Sequence, residues 1–178
     1  MNQLGLVHAY TGDGKGKTTA SVGLCVRAAG RGLRVLFCQF LKGRSSGELA
    51  SLEKLGVTIM RMQDPEAQVK FTFQMTEEEL NESRRQHAEL LARAKAAAQS
   101  GEYDLVVLDE SIGTVSIGLL EELALCDLID HKSSGTELVM TGRGLPPALA
   151  ERCDYISEIV MRKHPYEKGV QARRGIEY

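Results

Sequence analysis

Apolar residues along this chain follow two alternating rhythms. Short, nearly unbroken apolar runs occupy residues 4–10, 33–40, 57–60, 103–108, 137–140 and 155–161. Runs of that length and continuity predict strands, and Leu33-Arg34-Val35-Leu36-Phe37-Cys38-Gln39-Phe40 has the look of one covered on both faces. Between the runs lie segments with helical character. Residues 17–29 carry Val22, Leu24, Cys25 and Val26 among small residues and stop at Gly30-Arg31-Gly32. A short helix is predicted over 47–55, a long one from Thr76 to about Gly101, another near 119–129, and a brief one opened by Pro146-Pro147. The Thr76 hydroxyl, with Glu79 three residues on, forms a capping-box pattern. Strand and helix in alternation predict βαβ units and a mainly parallel sheet in one α/β domain. The least regular stretch is 62–75, with Pro65, Phe71 and Phe73. These phenylalanines read first as core residues, with a ligand-facing role as the alternative. Neither an internal repeat nor a low-complexity linker interrupts the pattern.

Composition narrows the classes. With 178 residues, 43% apolar and 26% charged, the chain has the make-up of an ordinary globular domain, and collagen-like, mucin-like or wholly disordered chains are excluded. A net charge of -2 removes any whole-chain electrostatic case for nucleic acid or an acidic membrane. The start MNQLGLVHAY has no basic opening or long apolar run, and no stretch approaches the ~18 apolar residues of a membrane span. Cys25, Cys38, Cys126 and Cys153 are widely separated and lack zinc-ligand spacing. Buried free thiols in a reducing cytoplasm are expected.

The chief chemical signal is Gly12-Asp13-Gly14-Lys15-Gly16-Lys17-Thr18-Thr19, between the first strand and the first helix. A polyphosphate packs several negative charges within a few ångströms. Glycines let the backbone offer converging N–H groups to it, and the following helix N-terminus adds a favourable dipole. Lys17 suits phosphate oxygens, and the Thr18 hydroxyl suits a magnesium ion. The usual spacing G-x-x-x-x-G-K-[ST] fails by one residue, because Thr11 stands where its first glycine would fall. For Lys15, a phosphate contact and a solvated turn lysine are both open.

A nucleotide site also needs an acid at the end of a nearby parallel strand. Asp109-Glu110, after Leu105-Val106-Val107-Leu108, meets that need, and spacing alone leaves open which acid approaches the metal. Arg143, at another strand end, offers a planar fork to phosphate. Arg27, ten residues beyond Lys17 on the first helix, reads from geometry alone as a surface arginine.

Taken together, these segments resemble the ATP:corrinoid adenosyltransferases of the cobalamin pathway. The matching stretches run from Tyr10 to Ala20, then Gln39-Phe40-Leu41-Lys42-Gly43 with Gly47-Glu48, Val107-Leu108-Asp109-Glu110 and Thr141-Gly142-Arg143. Lys163-His164-Pro165-Tyr166 with Gly169-Val170, and Ala172 to Tyr178, complete the likeness over almost the whole chain. The resemblance implies a P-loop NTPase-like (RecA-like) three-layer sandwich with a mainly parallel six-stranded sheet, working as a homodimer. It implies transfer of the 5′-deoxyadenosyl group of ATP to the Co(I) centre of a reduced corrinoid, with release of triphosphate. By this likeness the loop Gly12, Asp13, Gly14, Lys15, Gly16, Lys17, Thr18 and Thr19 holds the triphosphate, in a sense reversed from ordinary ATPases. Lys17, Glu110 and Arg143 become the catalytic group and Arg27 a nucleotide contact. Thr18 and Glu110, with Asp109, become the side chains around Mg2+ or Mn2+. The partners it implies are the corrinoid and an electron donor such as a flavoprotein, with no nucleic acid and no membrane.

The chain departs from the family's pattern in two places, the milder being Ser157-Glu158-Ile159 where the family tends to Thr-Glu-Met. Where the family tends to show isoleucine and asparagine after its acidic pair, Ser111-Ile112 stands here, placing an apolar group where a polar one is usual. Residues 161–178 form a basic tail, with Arg162, Lys163, Lys168, Arg173 and Arg174 against Glu167 and Glu177, a local +3. That tail is either a flap near the site or a solvated terminus. Two rival classes share the loop: another P-loop ATPase or small-molecule kinase, which would yield ADP, and a non-catalytic module binding ATP or corrinoid.

Overall fold

Six strands line up side by side, all parallel, in the order β3-β2-β4-β5-β1-β6. They are β1 (Val7–Thr11), β2 (Val35–Gln39), β3 (Thr58–Met60), β4 (Leu105–Asp109), β5 (Glu137–Thr141) and β6 (Tyr155–Glu158). The helices are α1 (Lys17–Ala29), α2 (Gly47–Lys54), α3 (Glu77–Ser100), α4 (Ser111–Ser116), α5 (Glu122–His131) and α6 (Pro147–Ala150), with single 3-10 turns at Thr72–Gln74 and Pro165–Lys168. This computed structural model describes residues 5–41, 46–62 and 72–177. Leu4, Lys42, Gly43, Pro65, Phe71 and Tyr178, singled out above, lie outside those residues.

Strand alternation explains the three layers. In β2, Leu36 and Cys38 face the core under α3, α5 and α6, together with Leu90, Leu91, Leu125, Leu128 and Leu149. Val35 and Phe37 face the other way, onto Cys25 and Ala28 of α1 and Leu49 and Leu52 of α2. Both faces of the central strands are covered, which is why β2 and β4 are buried at every position and apolar up to their last residues, Gln39 and Asp109. The capping box forms as expected: Glu79 N–H donates to the Thr76 hydroxyl at 3.2 Å, and Thr76 N–H donates to the Glu79 carboxylate at 3.0 Å.

Several boundaries differ from expectation for physical reasons. The first strand begins at Val7, because Gly5 turns with φ +115 and its N–H is taken by the Glu137 carboxylate at 2.8 Å. The last ends at Glu158; its outer edge is open and all four residues are exposed. Helix α4 was not expected, since Ser-Ile-Gly-Thr-Val-Ser is a poor helix former. Tertiary contacts hold it instead. Ser116 Oγ donates to the Arg143 carbonyl, twenty-seven positions away, and Ile112 is wholly buried in the core. The apolar residue at this departure from the family pattern therefore serves packing. Helix α5 starts at Glu122 because Leu119 and Leu120 fill the core as a loop.

Parallel strands bring all their carboxyl ends to one edge. Residues Thr11, Gln39, Asp109 and Thr141 meet there, with β5 inserted between the loop-bearing β1 and the acidic β4. In open sheets of this kind, ligands bind outside that edge.

Candidate functional site

The glycine-rich turn leaves β1 at Thr11 and enters α1 at Lys17. Its first two variable glycines are demanded by a neighbour. The Ile159 carbonyl, just past β6, accepts from Gly14 N–H at 2.7 Å. A Cβ on Gly12 or Gly14 would stand 2.5 or 2.7 Å from that same oxygen. Gly16, with φ +126, provides the turn into the helix. Lys17 is only 7% exposed. Its ammonium donates to the Gly12 carbonyl at 2.7 Å and the Gly14 carbonyl at 2.9 Å, so the side chain folds back over its own loop. Burial lowers its pKa from the ordinary lysine value, and the Glu110 carboxylate opposes that shift.

The acidic edge is built by interlocking β4 and β5. Asp109 is fully buried, and the Thr141 hydroxyl donates to its Oδ1 at 2.8 Å. The same hydroxyl oxygen accepts from Glu110 N–H at 2.9 Å. Glu110 is one of two non-glycine residues among those described with positive φ (+63), a turn that lifts its side chain to the cavity wall. Gly142 has no room for a side chain, since a Cβ would lie 2.2 Å from the Gly113 nitrogen. Ser116 Oγ donates to the Arg143 carbonyl at 2.6 Å, tying α4 to the loop that carries Arg143. The Arg143 guanidinium is exposed and donates to the Asp13 carbonyl at 3.3 Å, across the mouth of the glycine-rich turn.

These groups border a single large cavity of about 1410 Å³, whose wall includes Lys17, Thr18, Glu110 and Arg143. Asp13 to Thr19 line it continuously. Its far wall is the first half of α3, including Ser83, Gln86 and His87, with the turn bearing Phe73. Phe73 is 80% exposed, which removes it from the core and puts its ring on the cavity rim. The tail returns to this place. Lys15 donates to the Glu177 carboxylate at 2.8 Å, and Arg173 pairs with the same carboxylate at 3.1 Å. Arg173, with Lys15 second, holds Glu177 down to a pKa of about 2. Arg27 is not brought in. It is exposed in the last turn of α1, ten residues or ~15 Å of helix beyond Lys17, and outside the cavity wall.

A hard divalent cation that takes most of its ligands from polyphosphate needs only one or two protein oxygens. Thr18 and Glu110 at the wall, with Asp109 fixed behind them, fit that role. Among the described residues no three His, Cys, Asp or Glu side chains gather into a cage of their own. The cysteines are free, and burial pushes Cys25 up to about 12 and Cys153 up to about 11, so neither is a ready thiolate. Among the described residues no helix is long and apolar enough to cross a membrane. Spacing had not distinguished Thr141, Ser116 or Gln39 from ordinary residues; a polar residue ending an otherwise apolar strand was the available signal.

Comparison with known proteins follows the same stretches. The family model described as ATP:corrinoid adenosyltransferase BtuR/CobO/CobP matches residues 3–178. The chain is 32% identical over 179 residues to a corrinoid adenosyltransferase of Escherichia coli K12, covering 100% of this chain and 88% of that protein. It is 32% identical over 182 residues to a corrinoid adenosyltransferase of Pseudomonas aeruginosa, covering 99% and 85%. To the corrinoid adenosyltransferase CobA of Salmonella typhimurium it is 31% identical over 186 residues, covering 100% and 88%.

Proposed function

The chain belongs to the ATP:corrinoid adenosyltransferase family, and from that premise we propose how its own residues carry out the family's reaction. The reaction is ATP-dependent adenosylation of a corrinoid. The substrate's cobalt, reduced to Co(I), donates an electron pair to C5′ of ATP, the C5′–O bond breaks, and the triphosphate leaves with that pair. The cobalt itself is the nucleophile. The protein therefore needs no nucleophile and no general base, and its task is to orient the two substrates and stabilise charge on the leaving group.

One observation carries the assignment of residues: a phosphate-type loop, a left-handed Glu110 and Arg143 all border the same 1410 Å³ cavity. A pocket for one small molecule is typically ~300–1,000 Å³. This volume supports two substrates side by side. The loop Gly12 to Thr19, through its amides other than that of Gly14, and the α1 N-terminus cradle the triphosphate, and Lys17 turns from the Gly12 and Gly14 carbonyls to its oxygens. Arg143, held at its backbone by Ser116, closes over it from the Asp13 side. Thr18 and Glu110 would hold a magnesium or manganese ion, with Asp109 behind. When bound, such an ion supplies positive charge to the departing phosphates. Phe73 offers an apolar rim to the corrinoid and keeps water from the reduced metal. A homodimer is supported by the exposed Tyr155, Ile156, Val160 and Met161 along and beyond the β6 edge. The electron donor, a flavoprotein in this reading, acts on the corrinoid before transfer.

The test is direct. Under anaerobic conditions the protein, MgATP and chemically reduced corrinoid yield a light-sensitive alkylated corrinoid and intact triphosphate in equal amounts. ADP and phosphate with an unchanged corrinoid would overturn the reading.

A further inference from the structure

Gln39 ends a strand in which every residue is buried, and it is itself 1% exposed. Neither the nitrogen nor the oxygen of its carboxamide has a hydrogen-bond partner among the described residues. Burying an amide in that state is costly, because its lost hydrogen bonds to water are not replaced. Native cores hold few such groups, and each calls for an explanation.

Its location provides one. Alternation along β2 puts Gln39 on the face of Val35 and Phe37, the side covered by α1 and α2. Register pairs it directly with Asp109, which shares that face with Leu105 and Val107 of β4. Neighbouring strands lie ~4.8 Å apart, so the carboxamide and the carboxylate stand side by side at the edge of the sheet. Thr141 holds Asp109 from the opposite strand. The amino end of α1 lies over the same face, and the charge of Asp109 is felt by both Lys17 and Cys25 there. A carboxamide carries two donors and an acceptor, a set that suits the water shell of a hard cation more than it suits an apolar core.

We propose that Gln39 is a positioning residue of the metal–triphosphate site, its carboxamide hydrogen-bonding the hydration shell of the divalent ion beside Asp109. This rests on the function proposed above and adds a residue on β2 to a site otherwise drawn from β1, β4 and β5.

The variant Gln39→Met keeps side-chain length and removes the amide. Two measurements apply to the full chain: its thermal midpoint, and retention of Mn2+ by the protein–ATP complex without corrinoid, read by the paramagnetic signal of free Mn2+. The expected result is an unchanged or higher midpoint, because an unpartnered buried amide has gone, with Mn2+ retention about tenfold weaker, the usual scale for groups behind a metal's direct ligands. With corrinoid present, turnover should fall while the corrinoid KM stays put. Mn2+ retention within twofold of the parent would overturn the proposal. So would a lower midpoint in both Gln39→Met and Gln39→Leu, since the amide would then serve the fold. Adenosylation by the unmodified protein is the separate control. Its failure would sink the family chemistry, whereas weak Mn2+ retention by the variant bears on Gln39 alone.

Discussion

Replacing Thr141 by valine isolates the hydroxyl that joins the two acidic residues. Valine has nearly the same shape, so no cavity opens and only hydrogen bonding is lost. The hydroxyl donates to the Asp109 carboxylate at 2.8 Å and accepts from Glu110 N–H at 2.9 Å, and Thr141 is fully buried. A hydrogen bond to a charged group contributes ~1.5–3 kcal/mol, and an N–H left unsatisfied costs ~1–3 kcal/mol. Because one oxygen makes both contacts, the two losses do not add in full, and about 3 kcal/mol is expected. In a chain of this size each kcal/mol moves the thermal midpoint by ~2–4 °C, which gives a fall of ~6–12 °C. Activity should fall further than stability explains. Glu110 holds a positive φ of 63, a strain of ~1–3 kcal/mol for a non-glycine residue, and the lost bond is one restraint on that backbone. Once it relaxes, the carboxylate leaves the cavity wall and turnover drops by ~10–100-fold, as for other residues that orient metal-side groups. Thr141→Ser restores the hydroxyl and should stay near the parent in both measurements. The assay is thermal unfolding, with turnover measured well below every midpoint. A valine variant within 2 °C of the parent by this ~3 kcal/mol reckoning, or one equal to the serine variant, would refute the reasoning.

Two other outcomes follow from the same geometry. Lys17→Ala should leave the fold intact, because among the described residues the ammonium's hydrogen bonds go to carbonyls of its own loop, yet lower triphosphate release by ~100-fold or more; near-parental release would contradict its role. Burial holds the His87 imidazole below its ordinary pKa of 6.5, with the Ser83 carbonyl pulling the other way. The unfolded chain therefore takes up that proton first. Its contribution to stability is complete above pH 6.5 and declines as pH falls from there towards the folded-state pKa. Denaturant midpoints should thus fall between pH 7 and pH 5 in the parent and fall less in His87→Gln; equal slopes would count against this.

What the sequence determined by itself was whatever depends on neighbours a few residues away. The apolar runs marked the six strands, and the capping box set the start of α3, because hydrophobic period and local hydrogen bonding act within a single segment. The glycine-rich turn announced phosphate chemistry because N–H groups in close succession are themselves the binding device. Strand order was beyond such reasoning. Only the folded sheet inserts β5 between β1 and β4 and so brings Thr141 to Asp109, thirty-two positions away. Helix α4 has no local propensity to declare it and exists through Ile112 and Ser116 meeting partners elsewhere. Phe73 shows the opposite case: an aromatic side chain suggests a core, yet chain geometry left it at the cavity rim. Gln39 and the Lys15–Glu177 pair likewise acquire meaning only from residues brought across the sheet or back from the tail. Local interactions select the elements. Long-range packing, whose entropic cost is met only when the whole sheet forms, decides which of their ends share a site.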